Sequence, residues 1–202
     1  FTNGGAAYLY RVEQNGSVSL LEKMVANDVA ANDWFGRDVS QHGNFTFVGA
    51  SSSDPGGVHD AGAAYLYRLE SNDSLSFLGE VFAYDGTPTS YFGTSVSQFG
   101  DTLAVGARNA HANGVADTGA VYLYQIEDNG SISFLSKITA PDSATGDTFA
   151  SSISLSENQL MVGAWGSDPD GQLNAGSSYS FDIGKLANRT PTDLNATTSL
   201  AI

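Results

Sequence analysis

The chain has 202 residues, 8 Lys and Arg against 22 Asp and Glu for a formal net charge of -14, 23 Gly and no Cys. Phosphate binding runs on Lys and Arg, so no nucleic-acid partner is expected, and without cysteine there is neither a disulfide framework nor a thiolate site. At 41% hydrophobic and 11% aromatic residues the chain can build a core, but no run approaches the roughly 18 apolar residues of a spanning helix, so no membrane insertion is expected.

In chain order, the first landmark is Gly5-Ala-Ala-Tyr-Leu-Tyr-Arg11. It returns as Gly62-Ala-Ala-Tyr-Leu-Tyr-Arg68 and Gly119-Ala-Val-Tyr-Leu-Tyr-Gln125, and more weakly as Gly176-Ser-Ser-Tyr-Ser-Phe-Asp182, each step being 57 residues. The same step relates Phe35-Gly36, Phe92-Gly93 and Phe149-Ala150, and again Val48-Gly-Ala50, Val105-Gly-Ala107 and Val162-Gly-Ala164. Three landmarks sharing one period define a repeat protein.

One repeat predicts four short strands: a at 35–40, b at 45–50, c at 63–69 and d at 75–81. The a–b link is tight (Gln41 to Asn44). The c–d link carries Asn15-Gly16 and Asn129-Gly130, the pair expected in two-residue hairpins with both central residues at positive φ. Strand c is apolar on both faces, as expected of a strand covered on each side, so Tyr8, Tyr65 and Tyr122 are expected in the core. Antiparallel units of four strands at this period predict an all-β fold of β-propeller blades, with a solenoid of stacked sheets as the runner-up. Residues 1–25 supply c and d, residues 35–81 and 92–138 two full blades, and residues 149–183 strands a, b and c. The thirteen strands predict a partial ring, part of a longer chain or completed by association. Any signal peptide lies outside the sequence.

The Phe-Gly, Val-Gly-Ala and Gly-Ala-x-Tyr-Leu-Tyr landmarks resemble the FG-GAP repeats of integrin α-subunit propellers. The resemblance is closest to the bacterial secreted variant, roughly FGxSVSxxGDTLxVGA followed by GAxYLY, which Phe92 to Ala107 fits almost letter for letter. It covers about residues 5 to 184 and implies a closed ring of about seven blades. Ala150 departs from it, replacing the glycine of the Phe-Gly pair. Residues 1–184 therefore read as a propeller portion. Residues 185–202 read as a linker or the start of a following module, and Pro191-Thr-Asp-Leu194 resembles the opening of cadherin-like or Ig-like adhesin modules.

Strand order puts the b–c and d–a loops at one end of every blade. They hold Asp28, Asp33, Asp54, Asp60, Asp85, Asp117, Asp142, Asp147, Asp168 and Asp170 against one basic residue, Arg108, so that face is expected to be negative. Two readings stay open: capture of Ca²⁺ or of a cationic partner, or Asp serving as turn former and solubiliser. Asp168, Asp170 and Asn174 have the residue types of a Ca²⁺ loop, and Asp54, Asp60, Arg108, Asp117 and Trp165 are the candidate ligand face. Trp34 and Tyr91 also end loops on this side. The integrin calcium loop, DxDxDGxxD between strands a and b, has no counterpart in the short a–b links.

His42, His59 and His111 form no HExxH, no GxSxG elbow is present, and no single carboxylate pair stands out, so no enzyme is expected. Six sequons occur, three of them in equivalent c–d turns, where Asn-Gly-Ser is already good turn chemistry. With the resemblance, the expected function is a non-catalytic binding or adhesion module of a large bacterial surface or secreted protein, extracellular or at the cell surface. Its ligand would be a protein or glycan of the cell surface or matrix. The alternatives are a subunit of an extracellular fibre built by self-association and an accessory domain of a secreted hydrolase.

Overall fold

A computed structural model of the chain describes residues 3–28, 30–112 and 114–184, and the backbone of a strand at 199–201. The expectation of a linker or new module over 185–202 lies, apart from that strand, outside the described residues.

The fold is all-β and built as blades. A half-blade of β1 (Ala7–Val12) and β2 (Val18–Met24) precedes a first full sheet of β3 (Phe35–His42), β4 (Phe45–Ala50), β5 (Ala63–Leu69) and β6 (Leu75–Val81). The second full sheet is β7 (Phe92–Phe99), β8 (Thr102–Ala107), β9 (Ala120–Ile126) and β10 (Ile132–Ile138). The third is β11 (Phe149–Leu155), β12 (Gln159–Ala164), β13 (Ser177–Asp182) and β14 (Ser199–Ala201), the last pairing with β13 and adding a fourteenth strand to the thirteen read from sequence. Every pair is antiparallel and sequential. Strands b, c and d of the first full blade have the predicted bounds, and strand a runs two residues further.

Blades stack face to face through strands a, b and c. Val48, Tyr65 and Tyr67 pack back onto Ala7, Leu9 and Met24 of the half-blade, while Phe47 and Leu66 pack forward onto Phe92, Leu103 and Tyr122. The next interface repeats this with Ala104 and Leu123 against Phe149, Leu160 and Tyr179. Strands apolar on both faces are thus sealed by two neighbours, and burial of these large side chains is the main favourable term. Where a neighbour is missing the burial stops: Tyr8, at the position of Tyr65, Tyr122 and Tyr179, is 51% exposed while those three are at most 1% exposed. The core placement expected for Tyr8 is corrected on that ground.

The Phe-Gly pair explains the close stacking. Phe92 lies edge-on to Tyr122 of its own blade with ring centroids 5.4 Å apart, and Phe35–Tyr65 and Phe149–Tyr179 repeat this at 5.4 and 5.3 Å. Gly93 takes φ +85°, and a Cβ there would sit 2.3 Å from the Ala63 carbonyl oxygen of the preceding blade. Only glycine allows that backbone turn and that approach without strain.

The c–d hairpins differ from expectation. Gly16 N–H donates to Glu13 O (2.9 Å) and Glu13 N–H to Ser17 O (2.8 Å), which closes a three-residue loop in which Gly16 alone has positive φ. Asn15 instead turns its side chain inward, Oδ1 accepting the Ser17 N–H at 2.9 Å, as Asn72 and Asn129 do for Ser74 and Ser131. The asparagine recurs as a side-chain cap, and Asp73 can occupy the left-handed place held elsewhere by glycine.

Candidate functional site: the loop face

The b–c and d–a loops meet at one end of the blades and are laced together by a backbone pattern that repeats. Ser52, Asn109 and Gly166 donate their N–H groups to the carbonyls of Asp33, Ser90 and Asp147 (3.2 Å each). Tyr91 N–H reaches Asp60 O (3.1 Å) and Trp34 N–H reaches the equivalent Asn3 O (3.4 Å), crossing from a d–a loop to the preceding b–c loop, whereas Asp117 O is reached by Gly146 N–H (3.0 Å), two positions earlier in its loop.

Most aspartates of this face have structural work. Tyr65, Tyr122 and Tyr179 donate their hydroxyls to Asp28, Asp85 and Asp142 at 3.0, 2.7 and 2.9 Å. Each bond joins strand c of one blade to the loop that leads in from the blade before. Burial pushes the Tyr122 hydroxyl pKa far up, and the Asp85 carboxylate raises it further. Burial would raise Asp85 too, yet Lys137, whose Nζ lies 2.7 Å from Oδ2, and the Tyr122 hydroxyl hold it below its ordinary value. Lys137 also sits 5.1 Å over the Tyr122 ring, so strand d adds a cation to a face whose loops carry one.

A second set forms turns. Asp33 and Asp147 are buried, with Oδ2 accepting the N–H of Ala30 (2.5 Å) and Ala144 (2.7 Å), and Ser90 accepts Thr87 N–H through its hydroxyl (3.0 Å). Burial raises the Asp33 pKa against that hydrogen bond, with the Asp28 and Asp54 charges adding to the rise. Asp54 and Asp168 precede one-turn 3₁₀ segments, Pro55–Gly57 and Pro169–Gly171, and reach across them, with Oδ1 accepting the N–H of Asp60 (2.7 Å) and Asn174 (2.5 Å).

Of the residues proposed for calcium, Asp168 and Asn174 thus meet through this turn, and Asp170 is a left-handed residue inside it at φ 54°. Asn174 holds the left-handed position shared with Asn3, Asp60 and Asp117. Among the described residues no group of three or more His, Asp or Glu side chains is placed to hold a metal ion.

The remaining candidates are displayed rather than consumed. Arg108 lies over the Tyr91 ring, 4.6 Å from its centroid, with Nε buried and without a protein partner. Trp165 is 61% exposed, and Trp34 is 46% exposed beneath the Arg37 guanidinium, 5.7 Å from its ring centroid. Asp60 and Asp117 stand beside His59 (3.2 Å) and His111 (3.7 Å). Within the repeat these positions change identity: Ser51, which is buried, is equivalent to half-buried Arg108 and exposed Trp165, and Trp34, Tyr91 and Thr148 are likewise equivalent. The frame is constant and its tips vary. Sequence reading missed the Tyr–Asp tethers, although the common 57-residue period of Asp28/85/142 and Tyr65/122/179 carried the signal.

The chain superposes on a periplasmic gluconolactonase of Pseudomonas aeruginosa with a TM-score of 0.53 and 18% identity, over 90% of this chain and 47% of that one. The chain therefore spans about half the length of that protein, and the likeness is one of fold. No curated protein matches it in sequence. The family model described as FG-GAP repeat matches residues 18–67, 76–124 and 132–181. With matches in register over most of its length, this chain belongs to the FG-GAP repeat family.

Proposed function

We propose that the chain is a non-catalytic recognition module whose binding surface is the loop face, working extracellularly or at a cell surface on a protein or glycan ligand. The observation that carries this reading is the contrast between a repeated frame and unrepeated tips. Carboxylates at equivalent positions are spent on tyrosines and turns. Ser51, Arg108 and Trp165 occupy one frame position with three chemistries. Exposed tryptophan and a guanidinium stacked on tyrosine are the groups that dominate binding surfaces, because they offer large rigid contact area with a polar edge. Propellers host catalysts as well as binders, so the likeness to a gluconolactonase does not carry that activity here. Asp28, Asp33, Asp54, Asp85, Asp142, Asp147 and Asp168 already accept protein hydrogen bonds, which supports a binding role over acid–base work for these carboxylates.

The test is surface binding of the purified chain to panels of matrix proteins and of glycans, beside the triple variant Trp34→Ala, Arg108→Ala, Trp165→Ala. Retention of a ligand by the wild type and at least about tenfold weaker binding by the variant is expected, since hot-spot truncations cost 1–2 kcal/mol or more each. Equal binding by the two proteins overturns the assignment of the face. Turnover of a gluconolactone by the wild type above the buffer rate would overturn the non-catalytic reading.

A further inference from the structure

Lysine and glutamate trade places between two otherwise equivalent blade joints. Strand d faces the strand c tyrosine in one register throughout, with Lys23 opposite Tyr8, Glu80 opposite Tyr65 and Lys137 opposite Tyr122. Each lysine lies over the ring it faces, 5.8 Å from the Tyr8 centroid and 5.1 Å from that of Tyr122. At the joint leading into the second full blade, the Lys137 ammonium bonds Asp85 Oδ2 at 2.7 Å and the His111 carbonyl at 2.9 Å, while Asp85 Oδ1 takes the Tyr122 hydroxyl. The joint leading into the first full blade keeps the acceptor and reverses its surroundings. Asp28 Oδ1 takes the Tyr65 hydroxyl at 3.0 Å, but Glu80, Asp54 and Asp33 stand where Lys137, His111 and Ser90 stand one repeat later. These charges reach one another: beyond the effect of burial, Asp28 raises the pKa of Glu80, and Asp28 and Asp54 raise that of Asp33. Among the described residues the ion pairs include neither Asp28 nor Glu80, and both are exposed.

We propose that Asp28 and Glu80 form a binding site for a primary ammonium, the lysine side chain of a partner protein. The class of ligand is written in the neighbouring joint. There Asp85, the equivalent of Asp28, holds a lysine ammonium on the carboxylate oxygen that its tyrosine leaves free. At the first joint strand d supplies a second carboxylate in place of that cation. An incoming ammonium bonds Asp28 Oδ2 and the Glu80 carboxylate together, and these charge-assisted bonds also cancel the repulsion between the two acids. Tyr65 is buried, so the site presents carboxylates with no open aromatic face, which suits a slim alkylammonium better than a pyranose ring. Ca²⁺ is a poorer fit: it takes about six to eight oxygens, and among the described residues no group of three or more His, Asp or Glu side chains is placed for a metal ion. The proposal rests on the loop face as the binding surface but uses none of Trp34, Arg108 and Trp165, so the two readings fail separately.

Titration of the whole chain with Nα-acetyl-lysine methylamide, followed by amide NMR at low ionic strength with sodium chloride as the reference cation, tests the site. Saturable shifts are expected at Asp28 and Glu80, and none with the Nε-acetylated probe. Glu80→Gln is expected to weaken binding at least about threefold, as loss of an exposed ionic contact does. Glu157→Gln removes the same charge from the exposed a–b turn of the third full blade and is expected to leave the affinity within about 1.5-fold of wild type. Glu80→Lys supplies the ammonium from strand d itself. That variant is expected to melt about 2 °C above wild type and to show no saturable shifts with the probe. Shifts that do not saturate, or that Glu157→Gln weakens as much as Glu80→Gln does, overturn the proposal. So does a Glu80→Lys chain no more stable than wild type, or tighter binding of glucosamine than of the lysine probe, which assigns the site to a glycan.

Discussion

Tyr122 Oη and Asp85 Oδ1 lie 2.7 Å apart across the joint between two blades, and the same pair recurs 57 residues before and after as Tyr65–Asp28 and Tyr179–Asp142. The bond fixes how the incoming d–a loop sits over the strand it feeds. A buried phenol donating to a carboxylate is a charge-assisted bond, and deleting the donor leaves Asp85 with Lys137 alone. Tyr122→Phe is expected to destabilise the chain by about 1.5–2 kcal/mol in urea unfolding, the lower half of the range for bonds to charged groups because Asp85 is partly solvated. Tyr8→Phe, at the equivalent but exposed position, is expected to change stability by less than about 0.5 kcal/mol.

A comparable contrast separates Gly93 from Ala150, its repeat equivalent. Gly93→Ala forces a methyl to 2.3 Å from a backbone oxygen at φ +85°, and backbone oxygens yield only by moving the blade. A loss of about 3 kcal/mol or more is expected, read as a lower denaturation midpoint. Ala150 already tolerates φ 69°, fully buried. Ala150→Gly relieves the left-handed strain but removes a buried methyl worth about 0.8 kcal/mol, so its net effect is expected within about 1 kcal/mol of zero.

Repeats made much of this legible in the sequence. Phe35, Val48 and Tyr65 each mark a strand because the same residue types return at one period, which acts as an alignment internal to one chain. What escaped was chemistry joining two landmarks. Asp28 read as a turn former because it sits among loop residues, and its tyrosine partner lies 37 positions away on a strand read as purely apolar. Asn15-Gly16 read as a two-residue turn because that pair favours it, whereas the Asn side chain caps the Ser17 amide and leaves one left-handed residue. Tyr8 read as core because sequence similarity cannot show whether a neighbour is present to cover it.

Asp33 supplies a test of burial by pH. Its folded pKa is raised above the ordinary 3.8, mainly by burial, so the folded state binds a proton more readily than the unfolded chain. The favourable contribution of that proton is complete below pH 3.8 and lost as pH rises through the folded pKa, leaving a buried charge at pH 7. Asparagine keeps an oxygen for the Ala30 amide and discards the charge. Asp33→Asn is therefore expected to be more stable than wild type at pH 7, with the advantage gone below pH 3.8. Asp85 has the opposite sign: its pKa is held low, so its contribution is present above 3.8 and lost as pH falls through the folded value. Asp85→Asn is expected to destabilise at pH 7 and to flatten the acid limb. Urea midpoints from pH 3 to 7 for the three proteins check both signs.

The loop at Asp168 decides what calcium does to the chain. Its Oδ1 is held by the Asn174 amide, and the equivalent Asp54 makes the same bond to Asp60 in a loop whose turn residues are Gly56 and Gly57. A turn closed in both blades by protein groups gains little from an added ion. If instead Asp170 and Asn174 swing in to complete six or more oxygens, the ion binds the native state alone and must raise the melting midpoint, by about 2.7 kcal/mol of stability at a hundredfold excess over the dissociation constant. The turn geometry favours the first outcome: scans in millimolar Ca²⁺ and in EDTA are expected to agree within about 1 °C. Asp168→Ala is expected to cost about 1 kcal/mol in either buffer, as loss of one turn-closing hydrogen bond does. A calcium-dependent rise abolished by Asp170→Ala would instead assign the loop to the metal.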